Sequence, residues 1–151
     1  MVKKTKKIVL ASGTFDLLHL GHVRFLEEAK KAGGKDADLV VIVARDGTVK
    51  ARKNKKPIMP EDQRRALVES LRVVDEAILG WENFNINKVI ERIKPDVIAV
   101  GYDQNEIEQE VLKAIKEKKA NIEVAKIGRF GKRELDSSSK IMRKIIASFN
   151  K

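Results

Sequence analysis

The chain contains no cysteine, which excludes disulfides, thiolate catalysis and cysteine-ligated metal sites. It has two histidines, His19 and His22, too few for a structural zinc site built on nitrogen and sulfur ligands. Aromatic residues make up 5% of the chain. So small a share argues against the stacking platform on which single-strand nucleic-acid binders rely. No apolar run approaches the roughly 20 residues that a membrane span needs. Behind the basic stretch Met1 to Lys7, the apolar segment Ile8 to Ala11 is too short for the core of a signal peptide, and a cytoplasmic protein is expected.

What is present is charge. Charged residues reach 36%, rich in Lys and Glu, a composition associated with proteins from hot environments. The formal net charge is +10, which suits either nucleic acid or small polyanions such as nucleotides. The basic residues are scattered over expected helices and loops, so nucleic acid is disfavoured as the main partner. Hydrophobic residues account for 42% of 151 residues. A chain of that size buries roughly 70% of the surface its unfolded form exposes, so one domain with a proper core, spanning 1–151, is expected.

The apolar pattern alternates along the chain. Lys7 to Ser12 reads as a buried strand, with Ile8, Val9, Leu10 and Ala11 in a row, as expected when both faces of a sheet are covered. Helical spacing follows over Leu20 to Ala32, ended by Gly33 and Gly34. Asp38 to Ala44 is a second buried strand, and Lys50 to Lys56 reads as a polar, basic loop bracketed by Pro57 and Pro60. A helix from Glu61 to about Leu71 places Glu61 and Asp62 in its first turn, where the helix dipole favours them. Then come a short strand, Glu76 to Leu79, a helix, Asn87 to Ile93, and a strong apolar strand, Asp96 to Val100. Glu106 to Lys118 is a helix, Asn121 to Ile127 a last strand, and Ser137 or Ser138 caps a helix reaching Phe149. Alternating strands and helices predict an α/β domain, a doubly wound, Rossmann-like parallel sheet flanked by helices. Ligands of such sheets bind beyond the carboxyl ends of the strands. Gly13 to His22, the segment from Arg45 onward, and Gly101 to Gln104 should therefore converge.

The first of these segments is Gly13-Thr14-Phe15-Asp16-Leu17-Leu18-His19-Leu20-Gly21-His22. Gly13 lets the backbone turn and approach a ligand closely. His19 and His22, at i and i+3, share a helix face. Gly21 between them removes a side chain that would block a phosphate. The helix start offers free N–H groups and a positive partial charge. The segment has no Ser-His-Asp set and no metal-binding triad. Transfers of phosphoryl and nucleotidyl groups need mainly positioning and electrostatics. Two histidines can donate hydrogen bonds to the phosphates as charge builds on the leaving group, and a neighbouring polyphosphate could hold them protonated.

This ten-residue segment resembles the signature of the cytidylyltransferase-like nucleotidyltransferases. That group includes glycerol-3-phosphate cytidylyltransferases, phosphopantetheine adenylyltransferases and archaeal FAD synthetases, and the resemblance extends over nearly the whole chain. It implies direct attack of a substrate phosphate on a nucleotide α-phosphate, release of pyrophosphate, and no covalent enzyme intermediate. It places Gly13, Thr14, Phe15, His19 and His22 against the nucleotide. It implies that Lys53 and Lys55 contact phosphates, and that Arg64 in Pro60-Glu61-Asp62-Gln63-Arg64-Arg65 contacts a substrate or nucleotide phosphate. His19, His22, Lys55 and Arg64 are the expected catalytic set. Asp103 matches an aspartate lying by the nucleotide. Arg72-Val73-Val74-Asp75-Glu76 resembles a dimer-interface stretch of the glycerol-3-phosphate enzymes, with Val73 replacing a tyrosine, and a homodimer is implied.

Two departures point away from CTP. Gln104 stands where cytidylyltransferases usually have tryptophan. Ser137, Ser138 and Ser139 are closer to the serine pair of adenylyltransferases, where hydroxyls and a helix N-terminus hold the β- and γ-phosphates; Lys132 or Arg133 replaces the family's missing arginine. Val43-Ala44-Arg45-Asp46, Lys56 to Glu61 and Gly101 to Gln104 together resemble the archaeal FAD synthetases. That resemblance implies transfer of AMP from ATP to the phosphate of FMN, aided by a divalent cation, expected to be magnesium, with no protein metal ligands assigned. The first alternative is a cytidylyltransferase acting on glycerol 3-phosphate or a similar ester. The second is a non-catalytic nucleotide- or nucleic-acid-binding protein. Trp81, Phe84 and Phe130 are candidates to stack on a flavin, although core packing is the simpler role for each.

Overall fold

The computed structural model describes residues 6–83, 85–129 and 135–150. Among these, the chain runs β1 (Ile8–Gly13), α1 (Leu20–Ala32), β2 (Asp38–Val43), α2 (Asp46–Lys53), α3 (Glu61–Glu69), β3 (Glu76–Leu79), α4 (Ile86–Ile93), β4 (Val97–Gly101), α5 (Asn105–Lys118), β5 (Glu123–Ile127) and α6 (Ser138–Phe149). The five strands form one sheet in the order β3-β2-β1-β4-β5, and every pair is parallel. The order reverses direction at β1 and β4, which is the switch point of a doubly wound sheet.

Period-two alternation sorts the strand side chains onto two faces. Val9, Ala11, Leu39, Val41, Val43, Val97 and Ala99 pack with Leu26 and Ala29 of α1 and Val68 of α3. Leu10, Val40, Ile42, Ile98 and Val100 pack with Val89 and Ile90 of α4 and Val111 and Ala114 of α5. Each fully buried Val or Leu contributes about 1.5–3 kcal/mol relative to exposure, so the two layers fix the register that aligns the strand ends. Gly33 shows how closely α1 lies on the sheet: a Cβ there would stand 2.4 Å from Val9 Cγ2. Its φ of −89° is right-handed, and Gly34, at +94°, takes the left-handed turn. No helix of the described residues is long and apolar enough to cross a membrane.

The expected basic loop Lys50–Lys56 is corrected by the structure. Asp46–Lys53 is a helix, ended by Asn54 in the left-handed conformation. Only Val49 of this helix is buried, so its sequence carries no apolar period to reveal it. Asp46 in its first turn and Lys50, Arg52 and Lys53 in its last oppose the helix dipole charges.

Candidate functional site

A cleft of about 890 Å³ opens at the carboxyl ends of the strands, bordered by Gly13 to Asp16, His19, His22, Arg45, Lys53, Lys55 to Ile58, Gly101 to Glu106 and Asp136 to Ser139. The three segments expected to converge do so. Between β1 and β4 the paired register covers only Val9–Val97 and Leu10–Ile98. Beyond it, the Gln104 side chain bridges the strand ends: its Oε1 accepts from Gly101 N at 2.8 Å and its Nε2 donates to Ser12 O at 2.9 Å. Gln104 is thus a strut at the switch point, with both ends of its amide held by backbone.

The loop from β1 to α1 is unusual in its backbone. Phe15 and Leu17 have φ of 55° and 50°, a region costly for residues with a Cβ and sustained only where surroundings compel it. Asp16 supplies the compulsion. Its carboxylate accepts from Ile58 N at 2.7 Å and Met59 N at 2.9 Å, and its carbonyl accepts from the Ser138 hydroxyl. Asp16 is buried and ties the motif to the end of the lysine segment. Gly13 is required because a Cβ would sit 2.9 Å from the Phe15 ring. Gly21 is needed for a further reason: a Cβ there would meet the Asp136 carbonyl and the His19 ring, each at 2.9 Å. The missing side chain makes room for the approach of the segment before α6.

His19 and His22 stack with ring centroids 3.8 Å apart, and Phe15 meets His22 edge-on at 5.4 Å. The His19 backbone N–H donates to His22 Nδ1 at 3.3 Å, which fixes His22 as the Nε2–H tautomer. Burial pulls the His22 imidazole down to about 3, with His19 and the Lys53 ammonium adding to the effect. Burial also lowers His19, partly opposed by the Asp136 carboxylate. Both rings are therefore neutral at pH 7 before a polyanion arrives. His19 Nδ1 is buried without a hydrogen-bond partner.

Lys53 Nζ donates to Thr14 Oγ1 at 3.2 Å, and Lys53, Lys55 and Lys56 all border the cleft. Arg64 does not join them. It has 0% exposure, and its guanidinium donates through Nε to Met59 O at 2.9 Å, through Nη1 to Thr14 O at 2.7 Å and through Nη2 to Asp46 at 2.6 Å. The expected phosphate contact is corrected to a scaffold role, because one fork spends its donors joining the motif loop, α2 and the segment entering α3. Arg65 pairs instead with Glu69 at 3.0 Å.

On the β4–β5 side, Tyr102 and Asp103 border the cleft and are exposed. Arg129 lies over the Tyr102 ring at 5.8 Å. Ser137 caps α6, accepting from Lys140 N at 3.2 Å, while Ser138 and Ser139 line the cleft at the helix start. Lys140 and Arg129 hold Asp136, at 2.6 and 3.1 Å, and keep its carboxyl at about 2. The Lys132 and Arg133 alternatives, and Phe84 and Phe130, fall outside the described residues. Trp81 lies on the cleft wall. Sequence reasoning missed Asp16 and Gln104 as anchors, although both stand in segments that it singled out.

A doubly wound sheet carries at its switch point a histidine pair, a lysine-bearing segment and a serine-rich helix N-terminus, all around one cleft. Those features define an α/β nucleotidyltransferase. The family profile described as cytidylyltransferase-like matches residues 10–144, and the chain belongs to that family. An FAD synthase of Ferroglobus placidus is 54% identical over 140 residues, 93% of this chain and 88% of that one. An FAD synthase of Methanothermus fervidus is 49% identical over 136 residues, 90% of this chain and 92% of that one. Among solved structures, a lipopolysaccharide core biosynthesis protein of Thermoplasma volcanium GSS1 is 44% identical, with a TM-score of 0.73 over 83% of this chain and 98% of that one.

Proposed function

We propose that this protein is an FAD synthase, transferring AMP from ATP to the phosphate of FMN with release of pyrophosphate. The observation that carries this reading is 54% identity to an FAD synthase across 93% of the chain, together with the phosphate-handling groups that line the cleft. An oxygen of the FMN phosphate attacks the α-phosphorus of ATP. The new phosphoanhydride bond forms as the bond between the α-phosphorus and the bridging oxygen breaks, and the electron pair leaves with pyrophosphate.

In this reading the chain positions phosphates and stabilises charge rather than forming a covalent bond. His22 donates from Nε2 to a phosphate oxygen, and His19 lies stacked beside it. Their neutral resting state lets the triphosphate enter without displacing a bound anion, and the polyphosphate's own charge favours protonation as pyrophosphate forms. Lys53 and Lys55 bring mobile point charges to the transferred phosphate. Ser137, Ser138 and Ser139 offer the N-terminus of α6 to the β- and γ-phosphates, and Asp103 accepts from the ribose or the adenine amine. With its amide committed to Gly101 and Ser12, Gln104 supports the strand ends instead of reading a cytosine. The nucleotide enters as its magnesium complex. A magnesium ion arriving with the nucleotide would keep several waters and bind largely through substrate phosphates, so no protein ligand is assigned to it. A homodimer through the Arg72 to Glu76 stretch also belongs to this proposal; Arg72 and Glu76 are exposed there.

The test is pyrophosphate release by the purified protein with magnesium, crossing ATP or CTP with FMN or glycerol 3-phosphate. Release with ATP and FMN alone, with FAD as product, is expected. Release that requires CTP would refute the assignment and favour a cytidylyltransferase.

A further inference from the structure

The cleft runs across the strand ends, with β2 and β3 on one side of β1 and β4 and β5 on the other, and each side is treated as one lobe. Asp103 lies on the β4 side, directly after that strand, and the α6 serines line the cleft beside the β1–α1 loop, where Ser138 meets Asp16. The β2–β3 lobe is different in chemistry. Ile42, Thr48, Val49 and Trp81 border it, and its arginines are engaged within the protein: Arg45 with Gly80 O and Glu61, Arg52 with Glu110. Trp81 packs part of its indole against the core layer of Ile42 and Val89 while also bordering the cleft. Thr48 Oγ1 is buried and has no hydrogen-bond partner. A buried hydroxyl left unpaired loses its hydration with nothing in return, so a turn of the Thr48 side chain towards a ligand in the cleft gains the missing bond.

We infer that this lobe is the ring-binding subsite of the acceptor: Trp81 stacks on the flat isoalloxazine of FMN, and the Thr48 hydroxyl bonds its polar pyrimidinedione edge. The inference rests on the FMN adenylyltransferase reading and extends it to named residues. In-line displacement puts the attacking and leaving oxygens on opposite sides of the α-phosphorus. With the nucleoside at Asp103 on the β4 side and pyrophosphate at the α6 N-terminus beside the β1–α1 loop, the β2–β3 side is left for the acceptor. An apolar wall with a single unsatisfied hydroxyl suits a large heteroaromatic ring, because aromatic stacking provides area and one hydrogen bond sets orientation.

Trp81 is the only tryptophan in the chain, so its loss leaves no other indole to substitute. The experiment measures dissociation constants for FMN and riboflavin by equilibrium dialysis, and KM for FMN and ATP, in wild type, W81L, W81A and T48V. W81L keeps apolar volume for the core if W81A fails to fold. Loss of an aromatic stack weakens ring binding about tenfold or more, so both Trp81 variants raise the FMN Kd and KM by that factor while KM for ATP moves less than twofold. T48V raises KM for FMN about three- to tenfold, the range for one hydrogen bond. It also raises the guanidinium midpoint of the ligand-free protein, which a merely structural threonine would not do together with the FMN effect. Riboflavin competes with FMN and not with ATP. Unchanged FMN binding in folded W81L and T48V, or competition of riboflavin with ATP, would overturn the subsite while leaving the enzyme's activity intact. A wild type that binds neither FMN nor riboflavin removes both the subsite and the proposed function.

Discussion

Acid should weaken this protein through one imidazole. His22 is held at about 3 in the folded chain, against an ordinary value of 6.5. Below pH 6.5 the unfolded chain binds a proton that the folded chain refuses, so stability is complete above that pH and falls as the pH drops towards 3. One pKa unit corresponds to about 1.4 kcal/mol. Integrated between pH 7 and pH 5, the loss is about 2 kcal/mol. His19, lowered for the same main reason, adds in the same direction. The carboxylates Asp75 and Asp136 are lowered too, but they lose their contribution mainly below pH 5, so the chosen window isolates the histidines. With a guanidinium slope of about 4 kcal/mol per molar, the midpoint of wild type should drop by about 0.5 M from pH 7 to pH 5. H22Q cannot take up the proton, and its midpoint should drop far less over the same interval. Equal losses in wild type and H22Q would refute the burial argument and with it the neutral resting state of the pair.

The remaining expectations concern the site and its frame. His22→Ala should reduce FAD formation about 10²- to 10⁴-fold, the range for a group that donates a proton or hydrogen bond in the transition state, while nucleotide binding changes less; near-full turnover would remove the role. Asp103→Ala should raise the KM for ATP about tenfold, as loss of a charged hydrogen bond does, and an unchanged KM would take it out of the nucleotide site. Arg64→Met should lower unfolding free energy by about 2 kcal/mol, because the buried carbonyls of Met59 and Thr14 lose their donors; a denaturation midpoint equal to wild type would show the fork to be dispensable. Excess EDTA should abolish pyrophosphate release and magnesium restore it; turnover surviving EDTA would contradict entry of the nucleotide as its metal complex.

The central strands β1, β2 and β4 were legible because each is a nearly continuous apolar run, and a parallel sheet covered on both faces demands that pattern. Four of the expected helices differ from those observed by no more than two residues at either end, since α1, α3, α4 and α5 each turn an apolar stripe to the sheet. α2 was read as a loop because a helix burying Val49 alone has no stripe to read. The site was legible as a set of segments, since topology brings strand ends together whatever the side chains do. Its internal wiring was not. Asp16 meets residues 42 and 43 positions away, and Arg64 meets Thr14 across 50. Such contacts follow from the folded geometry and leave no local period. Arg64 illustrates the cost: the family resemblance implied a phosphate contact for it, while in the fold it has no exposed surface at all.

The hydroxyl of Ser138 meets the carbonyl of Asp16 across 122 positions of chain, and this span has a consequence for how the protein is made. Synthesis proceeds from the N-terminus, and folding follows the order of emergence. A chain truncated after Ile127 holds all five strands, and its sheet can close. The motif loop, with its two unfavourable backbone angles, still lacks one of its restraints, and the serines at the α6 start have not been made. A nascent chain stopped at that point would carry the whole ten-residue motif and the whole sheet without a finished phosphate cradle. If the α6 serines hold phosphates as proposed, such a truncated chain has no complete site with which to hold ATP.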